Sequence, residues 1–251
     1  MGLGGGFASA APEVQTWPTD AAGAHGGSAA AAVSGWYATS ETAGDRVEIR
    51  DVRGDLQREI TRAEILPLLN WMTLDGSGDG PTALAWSRSG RSLFIAVHDD
   101  ENGPGGGGGS DAVLRYDTAT DQLGVFALVD LGDVTAEHIH PALLHHAGRL
   151  YLGGDPGEIE VHRAERNDTS SFAPLATVDL GAPVRGLAAD RALGLLYAAT
   201  DTGLWRSPLS AVPPVFEAVG PVVDARAIAH TGHFGGFATT GLYVLDQGGA
   251  R

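Results

Sequence analysis

The chain predicts an all-β fold, a β-propeller of about five four-stranded blades, and three observations carry that prediction. Five short β-like runs with an aromatic near the start recur along the 251 residues: 36–40 (WYATS), 93–97 (LFIAV), 150–154 (LYLGG), 196–200 (LYAAT) and 236–240 (GFATT). Each is followed at a similar distance by a second run: 47–50 (VEIR), 113–116 (VLRY), 159–162 (IEVH), 204–207 (LWRS) and 242–245 (LYVL). With Tyr37, Phe94, Tyr151, Tyr197 and Phe237 as anchors, the steps are 57, 57, 46 and 40 residues. Finally, neighbouring units align: 184–188 (VRGLA) with 225–229 (ARAIA), and the stretch ending Gly203-Leu204-Trp205 with the one ending Gly241-Leu242-Tyr243. A multi-stranded unit repeating every 40–50 residues or so is the mark of radial blades.

Taken in order, the first unit is the least regular. Its opening strand comes from the alanine-rich stretch 26–33, and a short helix on the rim is expected over 62–69 within the spacer that follows. The second unit places strands at 82–86, 93–97, 113–117 and 125–129, with a turn at 87–91 and a surface loop at 98–109 that ends in five glycines. The third runs from near His138 through 148–151, 158–161 and 176–180. The fourth has strands at 184–189, 195–200, 204–209 and 215–219, turning at Asp201. The fifth ends at Arg251 after its third strand, and a strand at 14–17 closes that blade in the favoured arrangement. The alternative is a fragment of a six- to eight-bladed propeller. The domain expectation is a flexible leader or signal-peptide remnant over 1–12, then one propeller domain over 13–251. The Ala8-Ser9-Ala10 motif resembles a cleavage site, though no basic segment precedes it, and an extracytoplasmic location is the favoured expectation.

Composition narrows the function. A net charge of −15 argues against nucleic acid and anionic membrane surfaces as partners. No apolar stretch is long enough for a membrane-spanning helix. With no cysteine there is no disulfide, thiolate metal site or cysteine nucleophile. All sixteen basic residues are arginine, which fits a GC-rich, bacterial coding sequence.

Residues 87–97 (SRSGRSLFIAV) with 111–120 (DAVLRYDTAT) resemble blades of the lactonase-like and YVTN-type bacterial propellers. Residues 196–207 (LYAATDTGLWRS) also resemble sialidase-type and phytase-type blades. The resemblance covers about four-fifths of the chain and implies the fold, not the chemistry. The phytase-type pattern implies a Glu pair where this chain has Ala198 and Ala199, and an acidic residue after Asp224 that is absent. Both departures count against a phytase.

Ligand sites are expected at the channel mouth, on loops from outer to inner strands and from second to third strands. The polar residues placed there are His98, Asp99, Asp100, Glu101, Glu137, His138, His140, Asp155, Asp190, Asp201, Asp224, His230 and His233. Glu137, His138 and His140 form the densest group; an extended His-x-His directs both imidazoles to one side, where they can hold Zn²⁺. Asp99, Asp100 and Glu101 offer oxygens suited to Ca²⁺, without the spacing of an EF-hand. His145 and His146 are expected in a turn, and Trp36, Trp86 and Trp205 in the core. No Gly-x-Ser-x-Gly or phosphate-loop motif occurs. The reading is a non-catalytic propeller module presenting a face to a protein or carbohydrate ligand. The alternative is a metal-dependent hydrolase of the lactonase, phytase or esterase-like kind.

Overall fold

The structure, a computed structural model, describes residues 30–33, 35–41, 46–69, 80–98, 111–129, 141–154, 156–164, 173–219, 225–230, 242–246 and 249–250. It is built of antiparallel meanders. Blade 1 comprises β1 (Ala30–Val33), β2 (Trp36–Glu41), β3 (Arg46–Asp51) and β4 (Leu56–Thr61). Blade 2 comprises β5 (Gly80–Trp86), β6 (Ser92–His98), β7 (Asp111–Asp117) and β8 (Gln122–Val129). Blade 3 has β9 (Ala142–His146), β10 (Arg149–Gly153), β11 (Glu158–Arg163) and β12 (Ala176–Asp179). Blade 4 has β13 (Val184–Asp190), β14 (Leu195–Thr200), β15 (Gly203–Pro208) and β16 (Glu217–Ala218). Blade 5 shows β17 (Ala225–His230), β18 (Leu242–Asp246) and β19 (Gly249–Ala250). Strand order within every sheet follows the chain.

The first strands lie side by side in chain order: β1 touches β5, β5 touches β9, β9 touches β13 and β13 touches β17. Strand periodicity explains how each blade hides both of its surfaces. Successive side chains point to opposite faces, so Leu93, Ile95 and Val97 of β6 pack with Ile49 and Ile60 of blade 1. Their neighbours Phe94 and Ala96 pack instead with Leu150 and Leu152 of blade 3. Tyr151, between those two leucines, faces blade 4 and meets Val184 and Leu196. Phe94 and Phe126 meet edge to face at 5.1 Å within this packing. A strand buried on both faces reads as a continuous apolar run. All of β6 is buried for that reason.

The expected rim helix is α1 (Arg62–Ile65), continued by a 3₁₀ turn at Leu66–Leu68. Thr61 and Glu64 form a capping box at its start. Arg58 ties it to blade 2. The guanidinium pairs with Glu64 and donates from Nε to Asp121 Oδ1 at 2.9 Å, while Tyr116 Oη donates to the same oxygen at 2.9 Å.

Four expectations are corrected. In blade 5, β18 pairs directly with β17, Ala229 opposite Tyr243, as Ala188 stands opposite Tyr197 in blade 4. Leu242–Asp246 is therefore a second strand, and the fifth anchor is Tyr243, not Phe237. Its step from Tyr197 is 46 residues, equal to the step before it. Trp36 is exposed rather than in the core, because it opens β2 at the rim; Trp86 is buried and Trp205 half-buried. His145 and His146 belong to β9, and the turn consists of residues 147 and 148. The outer strand of blade 4 is only Glu217–Ala218, with Val215 projecting to solvent before it. The leader, the proposed closing strand at 14–17 and the glycine run lie outside the described residues.

Candidate functional site

In blades 2, 3 and 4 the turns between first and second strands, and the connections between third and fourth strands, emerge at one end. Three of the former are tight. In blade 2, Ser87 closes the hairpin: its N–H donates to Ser92 O at 2.8 Å and its Oγ accepts Ser92 N–H at 2.9 Å, with Gly90 at φ +71°. Thr118 N–H donates to Arg91 O at 2.9 Å, fastening this turn to the β7–β8 turn. In blade 3, Ala147 and Gly148 have φ of +47° and +72°, a two-residue hairpin that matches strand twist. In blade 4, Asp190 Oδ1 accepts the N–H groups of Ala192 at 2.8 Å and Leu193 at 2.9 Å.

These turns enclose a cleft of about 840 Å³, lined by Arg88, Arg91, Arg115 and Arg191, by Ser87, Ser89 and Ser92, and by His145 and His146. Phe94 stacks on His145 at 5.7 Å with an interplanar angle of 9°, forming an aromatic floor. Among the described residues Asp117 is the one acidic side chain in the lining, so four arginines and one carboxylate leave those residues a net of three positive charges with the histidines neutral. A strongly acidic chain thus carries a cationic cleft.

Asp117 serves two of those arginines. It accepts Arg91 Nε at 3.3 Å, and Arg115 Nη2 lies 3.8 Å away. Burial opposes its ionisation, but the backbone N–H groups of Ala119 and Thr120, with Arg91, outweigh that and hold its carboxyl below the ordinary value. Arg115 also donates from Nε to Ser92 Oγ at 3.1 Å. Arg88 and Arg191 are exposed and have no acidic partner among the described residues. Burial, reinforced by the positive fields of Arg191, Arg149 and Arg88, pushes the His146 imidazole below its ordinary value. Its Nδ1 is buried without a hydrogen-bond partner.

Exposed apolar side chains share this end. Trp36, Val52 and Leu56 project from the turns of blade 1, Leu175 from blade 3, and Leu193, Val212 and Val215 from blade 4. Among the described residues, Leu128 alone of the eight large exposed apolar side chains lies toward the opposite end.

The sequence placed its candidates at that opposite end. Glu137, His138, His140, Asp99, Asp100 and Glu101 lie outside the described residues, as do Asp155, Asp224 and His233. Among the described residues, no three His, Asp or Glu side chains gather as a metal-holding group. His98 is a correction: it ends β6, is buried, and meets Asp111 Oδ1 through Nδ1 at 2.7 Å. A buried imidazole demands a partner, and Asp111, the first residue of β7, supplies it. Asp201 is clamped by Arg185, with Nε and Nη2 each 2.9 Å from a carboxylate oxygen, and so anchors a turn. Asp190 sits at the hairpin end instead, where it caps the β13–β14 turn. The arginines of the cleft are scattered in the sequence, Arg88, Arg91 and Arg115 belonging to blade 2 and Arg191 to blade 4.

No family profile matches the sequence, and no curated protein matches it. Solved structures do. A chain in the crystal structure of a nidogen/laminin complex is similar at 16% identity with a TM-score of 0.55, over 87% of this chain and 71% of that one. A chain in the crystal structure of a mitotic checkpoint complex is similar at 13% identity with a TM-score of 0.56, over 88% of this chain and 61% of that one. Both are propeller-type structures, and this chain spans less than two-thirds of the second. The chain is a β-propeller. At these identities the likeness extends to the fold alone, so the propeller's role rests on its own site.

Proposed function

We propose that this propeller is a non-catalytic binding module that engages a protein partner through the hairpin-turn end. The observation that carries this reading is the coincidence, at one end, of an arginine-lined cleft spanning three blades with seven exposed apolar side chains. Tryptophan and arginine are the residues most enriched where protein interfaces concentrate their energy. Tight turns support the reading, because a surface ordered before binding gives up little side-chain and loop entropy. The two similar structures are both complexes, of nidogen with laminin and of the mitotic checkpoint, which is compatible with a protein partner.

The test is affinity capture followed by reconstitution from purified components. Wild type, Val52→Glu with Leu56→Glu, and Leu128→Glu are compared, all three positions being exposed. The partner is expected to bind wild type and the Leu128 variant and to be lost from the blade 1 double variant. Retention by the double variant, with loss from Leu128→Glu, overturns the reading.

A further inference from the structure

We propose that the cleft between the hairpin turns of blades 2, 3 and 4 seats a phosphate monoester carried on a side chain of the protein partner. This rests on the docking end assigned above and adds the chemistry of the group that enters it.

Charge comes first. The described residues of the lining carry a net of three positive charges. A carboxylate neutralises one of these, whereas a phosphorylated side chain brings about 1.5–2 negative charges at neutral pH. Two of the cations are uncommitted, since Arg88 and Arg191 have no acidic partner among the described residues. They arrive from different blades, on the turns after β5 and β13. A carboxylate presents two oxygens in one plane, but a phosphate monoester presents three oxygens in tetrahedral directions and can accept guanidinium forks converging from separate elements.

The buried atom comes second. His146 Nδ1 has no hydrogen-bond partner. The charged groups acting on this ring are Arg149 on its own hairpin and Arg88 and Arg191 on the two facing turns. Asp117, the acidic group of the lining, is held by Arg91 and Arg115. A bound dianion offsets those three positive fields, which favours protonation of His146. Size agrees as well. About 840 Å³ accommodates a phosphorylated side chain with flanking backbone. A nucleic acid would bring the same phosphate chemistry, yet its many charges are repelled at long range by a chain of net charge −15. A single phosphate on a protein largely escapes that repulsion.

The experiment is a titration of the full chain, by calorimetry or fluorescence anisotropy, with four probes. These are a capped glycine-flanked phosphoserine peptide, the same peptide with glutamate in place of phosphoserine, inorganic phosphate, and a short single-stranded oligonucleotide. The phosphoserine peptide is expected to bind at least about tenfold more tightly than the glutamate peptide, and inorganic phosphate to compete with it. Arg88→Gln with Arg191→Gln is expected to weaken the phosphopeptide by about tenfold or more. Both arginines are exposed, and an unlowered melting temperature certifies the fold of the double variant. Equal binding of the glutamate peptide overturns the proposal in favour of a general acidic site. Tighter binding of the oligonucleotide, or binding of inorganic phosphate without the peptide, overturns it as well. So does binding that ignores the double substitution, or no binding of any probe. If the phosphopeptide fails while partner capture still depends on Val52 and Leu56, only this inference falls. If capture is independent of the hairpin end, the reading beneath it falls too.

Discussion

Substituting Gly153 tests the radial stacking directly. An alanine Cβ at this position would stand 2.5 Å from Val184 Cγ1 and 2.8 Å from Val184 Cβ, across the boundary between blades 3 and 4. Carbon atoms in comfortable contact are about 3.5–4.0 Å apart. Rotation of Val184 about χ1 moves Cγ1 but leaves its Cβ in place, so the clash relaxes only if the backbones separate. The hydrogen bond from Val184 N–H to Gly154 O, 2.9 Å long, opposes that separation. Overpacking of this kind costs about 1–3 kcal/mol. Gly153 lacks a positive φ, so alanine also gains about 0.4–1 kcal/mol by restricting the unfolded chain. The net expectation is a loss of about 1–2 kcal/mol, or roughly 2–8 °C in melting temperature for a chain of this size. Val184→Ala removes the nearer contact and keeps the farther one, so the double variant should cost less than the sum of the single variants by about 0.5–1.5 kcal/mol. Urea midpoints of the four proteins, read together with their m-values, give the cycle. Costs that simply add, within about 0.5 kcal/mol, would refute the packing of these two blades against each other.

Four further outcomes are expected. His146 has its basicity lowered in the folded chain from 6.5, so below that value the unfolded state binds more protons and stability falls as pH falls; His146→Gln should flatten this limb of urea midpoint against pH. Glu64 and Asp121 are held below their ordinary values, first by hydrogen bonds from Arg58 and Tyr116 respectively, so a second loss starts near 4.5 and should persist in the His146 variant. Arg58→Met breaks the bond network between α1, β4 and blade 2, and should lower the urea midpoint modestly, less in high salt, because the carboxylates it pairs with are partly exposed. Arg88→Gln with Arg191→Gln removes two like charges facing His146, and should move the NMR-monitored His146 titration upward; an unchanged titration would place the arginines too far away to matter.

The architecture was legible because radial packing writes itself into every second strand. Leu93, Ile95 and Val97 must satisfy one neighbour and Phe94 and Ala96 the other, which yields an apolar run with an aromatic in it. The same local rule misled at blade 5. Gly241-Leu242-Tyr243 matches Gly203-Leu204-Trp205 at the start of a third strand, but it also matches the second strand beginning at Leu195-Leu196-Tyr197. Pairing with β17 decides between them, and pairing is a long-range property. The cleft was illegible for a related reason. Arg88, Arg91, Arg115 and Arg191 lie in unremarkable turn and strand contexts, and an overall charge of −15 directs attention away from cations. Sequence alone puts His98 in the surface loop because its partner Asp111 stands beyond the glycine run, 13 residues away.

The two kinds of charge in this propeller obey one electrostatic logic. Acidic groups that serve the fold are neutralised locally: Asp201 by Arg185, Asp121 and Glu64 by Arg58, Glu217 by Arg206. Arg88 and Arg191 receive no such neutralisation among the described residues, and they stand close enough to depress the basicity of His146. Gathering like charges around a partly buried ring destabilises the native state by itself. Such an arrangement persists where the surrounding structure over-determines it. Here the Ser87, Ala147–Gly148 and Asp190 turns do so with bonds that do not involve the guanidinium groups. The fold therefore presents cations it does not need for its own stability, on turns that need not rearrange, at the end where its apolar side chains also reach solvent. Unspent charge on an ordered surface is what motivates the proposal of recognition at the hairpin end.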